Sequence, residues 1–347
     1  MDTNTGNSVR VYLHAGTHKT GTTAIQRFSS QHRLDLKQCG ILYPSLHRLG
    51  PRRTEAHHLL AHVVAGEAKA YSSAAAQAMV HHWIRNAARN QLTILVSAEA
   101  IWRHTLPVAD PGPESNKWIE KRREYLRALA AYFEGPVELV PVVVLRRPDD
   151  FAESVYKERI MKGLEHANRP FKEFVRSVTT KYLRYFDNLA LMEETLGFPR
   201  VMIYEDLKES GDLVRAFFEQ LGVPVSGNDS GERVRVSLTP SEATAKLYLD
   251  SLGHGRANAE ALDFLKSGDA ALHIANMDQV PRSFWPSPDA RMKFLRHFRR
   301  EADAIRQRWL PERATLFPPP TDEELRVEPV RAISNELKAA IETWAGR

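Results

Sequence analysis

Residues 14–26, HAGTHKTGTTAIQ, combine two glycines, a lysine and several hydroxyls in one short stretch. The stretch follows a hydrophobic run at 8–14, so we expect it where a strand ends and the chain turns into a helix. Free N–H groups and the helix dipole at such a turn attract an anion, and glycines let the backbone wrap around it. We therefore predict a phosphate-binding loop with contacts from Thr17, His18, Lys19, Thr20, Gly21, Thr22 and Thr23.

The position of the lysine distinguishes two kinds of phosphate loop. A Walker A loop, G-x-x-x-x-G-K-[ST], places its lysine directly after the second glycine, where the ammonium reaches the β- and γ-phosphates. Here Gly16 and Gly21 have the required separation, but Thr22 follows Gly21 and the only lysine of the loop is Lys19. A kinase or NTPase would lack its phosphate-binding lysine, and that interpretation is kept as an alternative, beside a solvated Gly/Thr turn.

The segment KTGTT, residues 19–23, resembles the 5′-phosphosulfate loop of sulfotransferases that use 3′-phosphoadenosine 5′-phosphosulfate (PAPS). The resemblance implies a P-loop-like α/β fold, PAPS as the co-substrate, and Lys19 as the catalytic residue that assists the departing bridging oxygen. Ala24 stands where the cytosolic members carry a tryptophan that stacks on adenine, and their C-terminal Gly-rich segment is missing. The likeness is therefore closer to the heparan-sulfate-type and bacterial branches of the family.

Two further segments match the same family in the same order along the chain. Residues 142–154, VVVLRRPDDFAES, place Arg146 at a strand end and Ser154 eight positions later, where family members hold the 3′-phosphate. A guanidinium offers a fixed fork to phosphate oxygens, and a hydroxyl adds a neutral donor. Tyr204 begins YEDL, which resembles the family segment whose tyrosine lies near the adenine. The alternatives are an ion pair of Arg146 or Arg147 with the aspartates that follow, and a core role for Tyr204.

A general base must take the proton of the acceptor, and Glu99 is the first candidate. It follows the second hydrophobic strand in VSAE, at the edge where open α/β sheets bind ligands. The alternative for Glu99 is a charge that favours the N-terminus of a short helix. His57 and His58 are the next candidates, because neutral imidazole accepts protons near neutral pH. His58 and His62 have helical spacing, but without a Cys pair or an HExxH pattern we expect no metal site.

The elements that must position these residues follow from hydrophobic periodicity. Strands are predicted at 8–14, 92–97, 137–145 and 200–204, and helices at 114–134, 211–221, 241–252, 256–266 and 288–309. Alternating strands and helices indicate a three-layer α/β fold with a mostly parallel central sheet and a helix-rich second half. The PPP break at 318–320 separates a predicted α/β domain, 1–317, from a C-terminal arm, 318–347, with a helix over 330–345.

Composition limits the remaining classes. The 347 residues carry 48 basic and 43 acidic side chains, a net charge of +5, which is too mild to indicate nucleic acid as a partner. A single cysteine, Cys39, excludes an intramolecular disulfide and favours a reducing, cytoplasmic setting. No stretch of 18 apolar residues occurs and the start lacks an apolar signal segment, so we expect neither a membrane span nor a secretory signal.

With this fold and composition, the family resemblance implies a PAPS-dependent sulfotransferase. It would move the sulfuryl group to a hydroxyl of a small molecule, glycan or lipid by in-line transfer, without a metal. The alternatives are a P-loop kinase or NTPase, and a non-catalytic protein that binds a nucleotide or an anionic glycan. The sequence names neither the acceptor nor the oligomeric state.

Overall fold

Five parallel strands form one sheet in the order β2-β3-β1-β4-β5. They are β1 (Val9–His14), β2 (Ile41–Leu42), β3 (Thr93–Ser97), β4 (Val137–Leu145) and β5 (Arg200–Ile203). Helices connect the strands, and the predicted three-layer α/β class is confirmed. All four predicted strands are present, each within one residue of its predicted bounds. The two-residue edge strand β2 is too short for periodicity to indicate.

The computed structural model describes residues 8–46, 55–106, 116–163, 169–225, 237–253, 256–330 and 332–346. The chain divides into two compact units. The first comprises 1–146, 180–234 and 301–317, and the second comprises 147–179, 235–300 and 318–347. One unit boundary lies at the predicted boundary after Phe317, but the predicted division into 1–317 and 318–347 stays a prediction.

Helices make up most of the remaining described structure. In chain order they are α1 (Thr22–Gln31), α2 (Arg33–Gln38), α3 (His58–Val64), α4 (Ser73–Asn90), α5 (Ala100–Arg103), α6 (Asn116–Ala130), α7 (Pro148–Met161), α8 (Phe171–Lys181), α9 (Tyr185–Thr195), α10 (Tyr204–Glu209), α11 (Leu213–Gln220), α12 (Pro240–Ser251), α13 (Asn258–Leu265), α14 (Gly268–Met277), α15 (Pro288–His297), α16 (Arg299–Trp309), α17 (Asp322–Leu325) and α18 (Asn335–Ala345). In the described part of the chain, no helix is both long enough and apolar enough to cross a membrane.

The register of the sheet determines which residues meet at its carboxyl edge. His14, the last residue of β1, is paired with Ser97 of β3 and Val142 of β4. Leu145, the last residue of β4, is paired with Ile203 of β5. The segments that follow these strands therefore begin at one edge of the sheet. Buried Val, Ile, Leu and aromatic side chains from the strands, α1 and α11 fill the core against this sheet.

The second unit is largely helical, with one short strand pair, β6 (Arg282–Ser283) and β7 (Glu328–Pro329). Helix α18 begins at Asn335, because the Ser334 hydroxyl accepts a hydrogen bond from the Leu337 N–H and caps it. Leu337 and Ile341 are fully buried in a cluster with side chains of α12, α13 and α14. The helix predicted over 330–345 is therefore shorter than expected, and it packs into the core of this unit.

Two predicted helices change course within their predicted ranges. The helix predicted over 114–134 is α6, and its last turn is a tighter 3-10 turn over Ala131–Phe133. The helix predicted over 288–309 is divided into α15 and α16 at Phe298. Phe298 is buried there, with its ring 5.0 Å from that of Phe294. The periodicity continues across the junction, which is why sequence alone predicts one helix.

Candidate functional site

The predicted phosphate loop connects β1 to α1. Helix α1 begins at Thr22, has no acidic residue in its first turn and no side-chain cap at its N-terminus. Its N-cap is Gly21, which has a left-handed φ of 76°, and a Cβ at this position would lie 2.6 Å from Leu213 of α11. Gly21 is therefore favoured by its backbone conformation, and a larger residue there would also have to displace the Leu213 side chain. The result is an uncapped helix N-terminus beside a tight loop, which is the geometry of an anion site.

Several loop hydroxyls hold the loop itself. Thr17 donates to the carbonyl of Val144 in β4 at 2.9 Å, and Thr20 donates to the carbonyl of Thr17 at 2.5 Å. Thr17 and Thr20 are buried, so these hydroxyls shape the loop from within. The Thr22 hydroxyl lies 3.3 Å from that of Thr20, and a Cβ at Gly16 would collide with it at 2.5 Å. The first glycine is thus needed to let the loop close onto Thr22.

Lys19 lies at the turn of the loop and has a φ of 67°, a left-handed conformation that is unfavourable for a residue with a side chain. Its carbonyl accepts a hydrogen bond of 2.8 Å from the Arg146 guanidinium. Outliers of this kind are retained where the surrounding contacts determine the backbone, and they concentrate at functional sites. The loop's lysine is therefore held in a fixed and strained position by the residue that follows β4.

Arg146 is the predicted 3′-phosphate ligand, and it lies beside the loop. Its guanidinium carbon is 4.7 Å from the centre of the Tyr204 ring, the first residue after β5. Its Nε is buried and has no hydrogen-bond partner among the described residues. A buried cationic N–H without an acceptor is costly, so an anionic ligand here would satisfy it. The structure thus brings Arg146, Tyr204 and the loop together.

Ser154, the other predicted 3′-phosphate ligand, lies on α7 in the second unit. It is 7% exposed there, on the buried side of the helix. Because Arg146 ends the first unit and Ser154 belongs to the second, their joint action on one phosphate stays a prediction.

Glu99, the predicted base, contacts the loop through His18. The Glu99 Oε2 atom lies 3.0 Å from His18 Nδ1, and both side chains are about one-fifth exposed. Burial works to raise the pKa of Glu99, but the hydrogen bond and charge of His18 outweigh it and hold that pKa below its ordinary value. The carboxylate is therefore ionised at neutral pH. Glu99 precedes the short helix α5 without accepting a cap hydrogen bond, so the helix-charge alternative lacks a direct contact.

The two candidate histidines differ sharply. His57 is fully buried, with its Nε2 3.0 Å from the Pro44 carbonyl and its Nδ1 accepting the Ser97 N–H. Both ring nitrogens form hydrogen bonds to backbone groups, so His57 has a structural role. It has no free nitrogen that could take a proton from the acceptor hydroxyl. His58, at the start of α3, is partly exposed. Burial lowers its pKa, while the charge of Glu99 opposes that shift, and the ring is neutral near neutral pH.

Sequence reasoning missed a polar network beneath the loop. The Ser97 hydroxyl contacts His14 Nδ1 at 2.9 Å and accepts a hydrogen bond from Gln26 Nε2 at 3.1 Å. His14 is fully buried, and its Nε2 is unpartnered among the described residues. Burial lowers the His14 pKa to about 4, so the ring is neutral. The proximity of His14 and Ser97 in this network could have been predicted from their positions, because each residue ends a strand at the carboxyl edge of the sheet.

Comparisons of the chain with protein-family models, with curated proteins and with solved structures found no match.

Proposed function

We propose that the chain is a sulfotransferase that moves the sulfuryl group of PAPS to a hydroxyl of a small molecule, glycan or lipid. The main support for the proposal is the set of groups around Lys19. The lysine lies in an anion-binding loop, and its carbonyl is held by Arg146, whose own Nε is buried without an acceptor. Two cationic residues at one uncapped helix N-terminus suit a ligand with phosphate and sulfate groups. The single cysteine supports a reducing, cytoplasmic setting as part of the same proposal.

The chemistry assigned to these residues is an in-line displacement at sulfur. The acceptor oxygen forms a bond to sulfur while the bond from sulfur to the bridging phosphate oxygen breaks, and the bond electrons leave with that oxygen. Lys19 neutralises the charge on the departing oxygen, and the N–H groups of Thr22 and Thr23, with the hydroxyl of the partly exposed Thr23, bind the 5′-phosphate. Such positioning and charge neutralisation are the main contributions a protein makes to transfer of this kind.

The acceptor proton goes to Glu99 in this proposal. Its carboxylate is ionised and fixed by His18 at the rim of the loop, within the edge where the acceptor would approach. His58 is the second candidate for the base, because its neutral ring is partly exposed near the same carboxylate. Arg146 binds the 3′-phosphate and Tyr204 lies near the adenine in this proposal. The contact of Ser154 with the same phosphate, which the family resemblance implies, stays a prediction.

The experiment is a transfer assay with purified full-length protein, PAPS and a panel of hydroxylated acceptors, read as release of 3′-phosphoadenosine 5′-phosphate (PAP). Lys19→Ala should lower kcat by roughly 10²–10³-fold, because one group that stabilises developing charge contributes about that much. Lys37→Ala, on the exposed side of α2, is the matched control and should keep full activity. An unchanged kcat in Lys19→Ala would remove the proposed role of the lysine.

A further inference from the structure

A second group of polar side chains lies in the first unit around the end of α3. Helix α3 ends at Val64, and Gly66 follows with a left-handed φ of 74°. The Gly66 N–H bonds to the carbonyl of Val63, and the Glu67 N–H bonds to the carbonyl of His62. This is the Schellman arrangement of a helix C-terminus. It turns the chain back, so that the Glu67 side chain returns to His62 of the last helical turn.

His104 reaches the same place from a different element. It follows α5, and its carbonyl accepts a hydrogen bond of 2.7 Å from Arg122 of α6. Arg122 is fully buried and also donates to the side-chain oxygen of Asn188 at 2.8 Å. The backbone of His104 is therefore fixed by a buried guanidinium. Its side chain is only 6% exposed, so it points inward.

The donor atoms of these three side chains converge. His62 Nδ1 lies 3.1 Å from His104 Nε2 and 2.6 Å from Glu67 Oε2, and Glu67 Oε1 lies 3.3 Å from His104 Nδ1. One ligand atom from each residue lies within 4.8 Å of the other two. Two donors on a tetrahedral zinc ion are separated by about 3.3 Å, given zinc–nitrogen bonds of about 2.0–2.1 Å. The two imidazole nitrogens already have nearly this separation, and the carboxylate ends a flexible side chain.

A buried tyrosine packs beside the three side chains, and two of the three side chains are open to solvent. The Tyr125 ring lies 5.5 Å from that of His104, and its buried hydroxyl has no partner among the described residues. A hydroxyl is a group of the kind that bonds to water held by an ion or to a metal ligand. Glu67 and His62 are about one-third exposed, which leaves a path from solvent. The sequence pattern singles out His62 but neither Glu67 nor His104, because these two are brought in by the turn after α3 and by the end of α5.

We propose that His62, Glu67 and His104 bind one zinc ion. Two imidazoles and one carboxylate form a zinc donor set, and three protein ligands leave a fourth position for water or a substrate oxygen. The proposal replaces the sequence-based expectation of no metal, and it does not depend on the sulfotransferase proposal, because its test measures binding and not turnover.

The test is calorimetric titration of the chelator-treated full chain with ZnCl2, with the visible absorption of bound Co²⁺ as a second readout. We expect one zinc per chain and the intense visible bands of four-coordinate Co²⁺. His62→Ala and His104→Ala should weaken zinc binding by more than about 100-fold, because even partners outside the ligand set contribute about 10–100-fold. Glu67→Gln should weaken it by more than about tenfold.

His32→Ala is the matched control, because His32 forms an exposed contact of the same type with Asp35 at 2.9 Å. Its zinc affinity and Co²⁺ spectrum should equal those of the wild type. If buried His104→Ala fails to fold, the partly exposed Glu67→Gln decides the question in a protein with an unchanged thermal melt. The proposal is overturned if the wild type binds no stoichiometric zinc, or if Glu67→Gln and His62→Ala bind it as the wild type does.

Discussion

Arg146 and Arg147 are neighbours in the sequence, yet they have different surroundings. In the second unit, Arg147 is 3% exposed and donates to Asp149 at 2.8 Å and to Asp150 and Glu324 at 3.0 Å. In the first unit, Arg146 contacts a carbonyl and an aromatic ring, has no carboxylate partner in the described part of the chain and keeps a buried Nε without an acceptor. A guanidinium surrounded by carboxylates holds a fold together, whereas one left without them is available to a ligand.

The carboxylates around Arg147 also explain its charge state. Burial works to lower the Arg147 pKa, but Asp149, Asp150 and Glu324 outweigh burial and raise it above its ordinary value. Arg291 binds the same aspartates, through Asp149 at 2.5 Å and Asp150 at 2.7 Å. The ion pair that sequence reasoning offered as the alternative for either arginine is therefore present, but at Arg147 alone and in a buried network.

The largest expected effect on stability breaks this network. Asp149→Asn removes a fully buried carboxylate from between two guanidinium groups, and it should lower the free energy of unfolding by roughly 3–5 kcal/mol, because a buried charge is left uncompensated. Chemical unfolding measures this change. Glu219→Gln, which breaks an exposed pair with Arg215, is the control and should leave Tm nearly unchanged. Equal stability in Asp149→Asn would mean that the Arg147 network has no structural role.

Glu99, the carboxylate of the candidate site, should affect turnover rather than stability. Glu99→Gln keeps the size of the side chain but cannot accept the acceptor proton, so kcat should fall by about 10²–10⁴-fold while the melting curve changes little. Steady-state kinetics with PAPS and thermal melts check both statements. Activity that survives in Glu99→Gln and is lost in His58→Ala would transfer the role of base to His58.

The buried imidazoles of the first unit give a pH dependence of known sign. Burial lowers the pKa of His14 and of His57 from 6.5 to about 4. The unfolded chain therefore binds protons first as the pH falls, so this stability is present above pH 6.5 and is lost toward pH 4. Between neutral pH and about pH 5, each ring should lower the free energy of unfolding by about 2 kcal/mol. Urea unfolding at pH 7 and 5 measures the loss, which should be smaller in His57→Gln. Equal stability at both pH values would contradict the assigned burial.

The smallest of these effects falls on Arg146 itself. Arg146→Met should reduce PAP affinity by about 10–100-fold and remove the preference for PAP over AMP, because a charge-assisted pair to the 3′-phosphate is lost. Its stability should change far less than that of Asp149→Asn. Arg200→Met is the matched control, since Arg200 also contacts a carbonyl and a tyrosine ring, through Gln220 and Tyr12, at the other end of a strand. An equal loss of PAP affinity in both variants would mean that the overall positive charge of the chain, and not a contact of Arg146 with the 3′-phosphate, determines the affinity.

The strands, the parallel sheet and the loop could be predicted from the sequence, because continuous hydrophobic runs and a Gly/Thr turn are local signals. The structural role of His57, which rules it out as a base, could not be predicted from the sequence. Its two backbone partners, Pro44 and Ser97, come from distant segments of the chain. The same limit applies to the polar network at His14. The division at Phe298 and the late start of α18 depend on packing and capping, which periodicity does not encode.

In the proposed function, the loop around Lys19 and Arg146 binds a 3′-phosphorylated nucleotide. Calorimetric titration of the wild-type chain with PAP, with AMP and with ATP in the presence of magnesium tests it most directly. We predict that PAP binds at least about tenfold more tightly than AMP, because only PAP offers the 3′-phosphate to Arg146. Equal affinity for PAP and AMP, or a preference for ATP with magnesium, would contradict the account, and the second result would favour a kinase or NTPase.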